Sequence, residues 1–200
     1  MTMKQKKARG TRAQSIGQKR PFTQEQVQLI RANLLAQKPG IGNTMQLALL
    51  ETSISTCLRC GDLLLLKAGD VIGLPGSYDK VPIKQQKTGD VVLVRINERA
   101  RAGLAAWIKL ANLGPGDRLF RFTSQYYRRL VKGWARLAHL DPRHYSTHSM
   151  RRTHPAHLYH RTKNVKAAQM LLGHSSIAHT GAYLGVDQDA AHDLAKEHDV

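Results

Sequence analysis

Apolar residues fall at helical spacing from Val27 through Ile30 to Leu34, and Pro39-Gly-Ile-Gly interrupts the pattern. Thr23 with Gln26 three residues on spells a capping box, so the first helix is predicted to begin at Thr23. A second, Leu-rich helix is predicted over 43–58, with 59–66 as its continuation or a short successor. The period then changes. Val81-Pro-Ile-Lys-Gln-Gln and Val91-Val-Leu-Val-Arg-Ile are β-rich runs flanking the turn-forming Lys87-Thr-Gly-Asp. They predict a hairpin with Lys87 at or near its tip, joined by a third strand around 70–73 if the sheet extends.

Helical periodicity returns after Asn97, a natural cap, and runs to about residue 112 with Trp107 as core material. Leu113-Gly-Pro-Gly is a loop and Leu119-Phe120 a short buried anchor. A basic helix is predicted from 124 to about 139. Ser146 or Thr147 would cap the next, which carries His148 and Arg151; Pro155 is expected to kink it or delay its start. A helix over 164–172 ends at Gly173, and two short helices are predicted over 177–184 and 189–197. There are no internal repeats. The fold class is mainly α with a small antiparallel β-sheet.

Two hundred residues suit one domain with a proper core. The expected organisation is a disordered tail over 1–20 and a folded domain over 21–200. What changes the picture is charge: 31 Lys+Arg against 14 Asp+Glu, a formal net charge of +17. That is the composition of a polyanion binder. The excess is local, lying in the tail and in residues 118–166, where Asp141 is the single acid. An ordinary solvated face would mix signs, so the basic helix reads as a nucleic-acid surface, with Arg128, Arg129, Lys132 and Arg136 as phosphate contacts and Arg152 nearby. No apolar run is long enough for a membrane span, and the N-terminus lacks the apolar core of a secretory signal. Cys57 and Cys60, the only cysteines, read as packed residues of a reduced, cytoplasmic protein, associated with the nucleoid when bound to DNA. His154, His157 and His160 lack the acidic partners of a metal site.

Six residues carry candidate chemistry: Arg59, Lys87, His148, Arg151, His174 and Tyr183. Arginine suits a phosphorus centre that gains negative charge, because its planar fork makes two charge-assisted bonds and keeps its charge. Arg59 and Arg151, on different elements, can clamp one phosphate. His148, at i,i+3 from Arg151, would share its face and donate to the phosphate or take the proton of a phenol. Tyr183 is the candidate nucleophile, His174 a phosphate donor and Lys87 a general acid for the leaving 5′ hydroxyl, with Lys84 as its rival. A phosphotyrosine conserves the energy of the broken bond, so no cofactor is expected. Consistently, the chain has no G-x-x-x-x-G-K-[ST] loop and no acidic triad for two-metal cleavage.

Thr56-Cys-Leu-Arg59, Lys87-Thr-Gly, His148-Ser-Met-Arg151, Leu171-Leu-Gly-His174 and Tyr183, in this order and spacing, resemble the tyrosine recombinase (phage integrase) family. The resemblance covers about residues 21–186. It implies a helical catalytic domain with a small sheet carrying the lysine. It makes Arg59, Lys87, His148, Arg151 and His174 the activating residues and Tyr183 the one that joins the 3′ phosphate. Cys57 replaces a common glycine, Asp62 a glutamate and Arg152 a histidine. Typical members also carry an N-terminal helical domain that closes a clamp on DNA; here a basic tail stands in its place, as in the short form with a catalytic domain only. The expected function is site-specific DNA recombination, with double-stranded DNA as partner, a dimer or tetramer on DNA, and a possible accessory protein. The acidic segment 187–200 would dock on a neighbouring subunit. The rivals are a type IB topoisomerase and a non-catalytic DNA-binding regulator.

Overall fold

The computed structural model describes residues 19–71, 80–173 and 180. The elements run α1 (Gln24–Ala36), α2 (Ile41–Thr56), α3 (Cys60–Leu63), β1 (Lys80–Lys84), β2 (Val91–Arg95), α4 (Glu98–Leu110), α5 (Ser124–Leu137), α6 (Thr147–Thr162) and α7 (Val165–Leu172). Single 3₁₀ turns occupy Ala68–Asp70 and Pro142–His144. The expected class, mainly helical with one small antiparallel sheet, is what the chain adopts.

Helix α2 lies at the centre, packed against α1, α4 and α6. Gly103 of α4 faces Ala48 of α2, where a Cβ would sit in van der Waals contact, 3.4 Å from the Ala48 Cα. The buried polar residues of α2 are satisfied. Thr52 donates to the Ala48 carbonyl at 2.7 Å, Thr56 to that of Thr52 at 2.8 Å, and Ser53 to that of Leu50 at 2.9 Å. Ser55 donates to the Arg95 carbonyl and accepts from Asn97 N–H, tying α2 to the end of β2. Glu51 is paired with Arg31 of α1. Around this helix Trp134, Tyr127, Phe120 and Phe22 fill the core, Phe22 stacking on Tyr145 at 4.4 Å.

Most helix starts lie where their capping residues put them. Thr23 and Gln26 form the reciprocal box. Asn97, Ser146 and Asn164 each accept from a backbone N–H of the first turn. Four expectations need correction. The second helix ends at Thr56 rather than running to 58, because Cys57 turns into the left-handed region at φ 53°. At residue 70 there is no third strand: Asp70 closes a 3₁₀ turn, and 72–73 lie outside the described residues. Helix α6 does not start late: it runs from Thr147 through the buried Pro155 to Thr162. Lys19 and Arg20, expected in the disordered tail, bond to the carbonyls of Arg143 and His144. The two helices expected after Gly173 fall outside the described residues, apart from the buried Thr180.

Candidate phosphate-binding site

Three chain segments converge on a cleft of about 410 Å³ lined by Arg59, Cys60, Gly61, Lys87, Thr147, His148 and Arg151. Among the described residues, no carboxylate lines it. Four of the six candidate residues are therefore brought together. The other two, His174 and Tyr183, lie outside the described residues.

The first segment is the turn between α2 and α3. Its left-handed Cys57 reverses the chain, and Arg59 caps α3 in an extended conformation. A residue without Cβ meets least resistance at such a position, a physical reason for the glycine common there. Arg59 does not turn to Asp62. Its Nη1 donates to the Gln85 Oε1 at 2.6 Å, and Asp62 accepts from Gln86 N–H instead.

The second segment is the β1–β2 hairpin, registered Lys80 to Arg95 through Lys84 to Val91. Val81 and Ile83 point inward on β1, and Gln85 continues that inward series. Gly89, at φ 76°, lets the turn close: its N–H reaches the Gln85 carbonyl at 2.9 Å, and Gln85 N–H reaches that of Asp90 at 2.8 Å. This closure carries Lys87 into the cleft wall, whereas Lys84 is exposed on β1 and does not line the cleft.

The third segment is the start of α6. Ser146 accepts from His148 N–H, and its own N–H is met by the Ser149 hydroxyl. The helix N-terminus thus opens into the cleft at Thr147 and His148, adding its partial positive charge to that of the side chains. One turn on, Arg151 is almost fully buried. It donates to the carbonyl of Cys57 at 2.8 Å and to that of Leu172, at the end of α7. One guanidinium therefore fastens the turn leading to Arg59 to the turn leading to His174.

Electrostatics follow from this crowding. His148 is held below the ordinary imidazole pKa, first by partial desolvation, then by the guanidinium charges of Arg151, Arg128 and Arg152. It is neutral at pH 7. Burial pushes the Cys57 thiol up to about 12, against the opposing charge of Arg151. Cys60 is also raised by burial, with Thr147 and Arg128 opposing.

The basic helix α5 lies beside the site. Arg128, Arg129 and Arg136 are exposed and Lys132 half-buried, with the Arg129 guanidinium 5.5 Å from the Tyr126 ring centroid. Arg152 has a different setting. It is buried and donates to the Lys19 carbonyl at 2.7 Å, so it fastens the segment entering the domain. Sequence reasoning passed over Gln85, Cys60, Gly61 and Thr147. Gln85 did leave a signal, a polar residue at an inward position of an alternating strand.

The phage integrase family model matches residues 20–189. The tyrosine recombinase XerD of Yersinia pestis is 27% identical over 180 residues, covering 84% of this chain and 60% of that protein. XerD of Xanthomonas axonopodis pv. citri (strain 306) is 31% identical over 166 residues, covering 76% and 54%. Among solved structures, the XerH site-specific recombinase in a post-cleavage complex with its palindromic difH substrate superposes with a TM-score of 0.72 at 20% identity, covering 91% of this chain and 54% of that one. The fold is that of the tyrosine recombinase catalytic domain. The chain belongs to the phage integrase family, and it spans between about half and three fifths of the length of these relatives.

Proposed function

We propose that the protein is a site-specific DNA strand transferase that cuts and rejoins duplex DNA through a covalent 3′-phosphotyrosine. One observation carries this reading. Arg59, Lys87, His148 and Arg151, spread over three separate segments, line a single cleft at a helix N-terminus, with no carboxylate among its described lining residues.

In this account Arg59 and Arg151 bind the non-bridging oxygens of the scissile phosphate and hold the negative charge that grows as phosphorus becomes five-coordinate. Tyr183 attacks phosphorus, and its proton passes to the neutral His148. The bond to the 5′ oxygen breaks, and Lys87 on the hairpin gives that oxygen its proton. His174 hydrogen-bonds the phosphate. Rejoining is the reverse, with a 5′ hydroxyl attacking the phosphotyrosine, so no nucleotide is consumed. Arg128, Arg129, Lys132 and Arg136 hold the flanking backbone. The partner is double-stranded DNA, bound by a dimer or tetramer, with the acidic segment 187–200 docking on a neighbouring copy.

Supercoiled plasmids with and without candidate sites from the protein's own genomic neighbourhood test this. Recombinant products from paired sites alone, lost in Tyr183→Phe while DNA binding persists, are the expected result. Relaxation of site-free plasmid would instead indicate a topoisomerase. Full biological activity of Tyr183→Phe would indicate a non-catalytic regulator.

A further inference from the structure

The side chain of Gln85 sits where the hairpin, the Arg59 turn and the end of α7 meet, and it is 3% exposed. Its Oε1 accepts from Arg59 Nη1 at 2.6 Å and from the Thr88 hydroxyl at 3.1 Å. Its Nε2 lies 3.1 Å from the point a Cβ on Gly173 would occupy, so the amide rests against the turn that leads to His174. Its backbone closes the hairpin through bonds with Gly89 and Asp90. Arg151 makes the complementary link, joining Cys57, two residues before Arg59, to Leu172. The two arginines are thus joined by two routes, and Gln85 is a node of one of them.

An arginine on a short turn has several rotatable bonds, and its fork is useful only when its orientation is fixed beforehand. A short bond to a buried amide oxygen fixes it. We propose that Gln85 is a positioning residue for the phosphate clamp: its side-chain oxygen orients the Arg59 guanidinium and ties it to the hairpin that carries Lys87. This inference rests on the strand-transfer reading above.

The test is single-turnover cleavage of two nicked duplexes by the full chain. One has an ordinary scissile phosphodiester. The other has a methylphosphonate there, neutral and so less dependent on arginine. Two variants are compared with wild type: Gln85→Met, which removes the acceptor, and Gln85→Asn, which keeps an amide but is one methylene too short to reach. Thermal midpoints and duplex affinity are measured alongside. Loss of a hydrogen bond to a charged group corresponds to roughly 10- to 100-fold. The expected result is that loss on the phosphodiester in both variants, less than about a third of it on the methylphosphonate, and duplex affinity near wild type. Wild-type cleavage by Gln85→Asn, or equal losses on both substrates, would overturn the assignment; Gln85→Asn alone decides the matter if Gln85→Met does not fold. Absence of any wild-type Tyr183 adduct would instead remove the strand-transfer reading itself.

Discussion

At φ 53° the Cys57 backbone lies where a Cβ costs roughly 1–2 kcal/mol, yet the thiol is fully buried and gains from that burial. Cys57→Gly exchanges one for the other and should leave the urea midpoint nearly unchanged. Cys57→Val puts a β-branched side chain into the same turn and should cost about 1–3 kcal/mol. Because burial raises the Cys57 thiol to about 12, a thiol reagent at pH 8 should label Cys60 in the folded protein and Cys57 only on unfolding. Gly173 has φ 58°, strained for any residue with a Cβ, and a Cβ there would stand a tight 3.1 Å from Gln85 Nε2 and 3.2 Å from Val92 Cγ1. Gly173→Ala should therefore lose about 1–3 kcal/mol in stability. His148 and His154 both titrate below the ordinary imidazole value near 6.5, chiefly through desolvation. The unfolded chain therefore takes up protons first as pH falls. Their contribution is fully present above about pH 6.5 and declines as pH drops through that value toward their folded pKa values, which a pH series of denaturation midpoints would show.

At the scale of elements, what was legible in the sequence is what is local. Caps at Thr23, Asn97, Ser146 and Asn164 and the stop at Gly173 are decided within four residues, and each helix starts or ends there. The hairpin was legible because its alternation and its Lys87-Thr-Gly turn agree. The passage of α6 through Pro155 was not, since it depends on what packs around that ring. The left-handed Cys57 was hidden for a related reason: nothing in the residue's identity announces a turn that Arg151 helps to hold from 94 positions away. Arg152 was read with the basic helix, but its fastening to Lys19 sets it apart. Replacing exposed Arg128 and Arg136 with Gln should weaken duplex binding and flatten the dependence of log affinity on log salt by about 0.9 for each phosphate no longer neutralised. Arg152→Ala should instead lower the melting midpoint and leave that slope largely intact.

Over the whole molecule, six residues named from their order in the chain span 125 positions, and folding brings four of them to one cleft. That convergence was implied by family resemblance and could not be derived from periodicity, because it is fixed by long-range bonds such as Arg59 to Gln85 and Arg151 to Leu172. On the proposed function, the net charge of +17 supplies long-range attraction to a polyanion and the cleft the point of reaction. The most direct measurement of the central claim is to trap the protein on nicked suicide duplexes and map the covalent adduct by peptide mass spectrometry. The account predicts a 3′-phosphoryl link to Tyr183, abolished by Arg151→Ala. A link to another residue, or duplex binding with no adduct on any site tested, would contradict it.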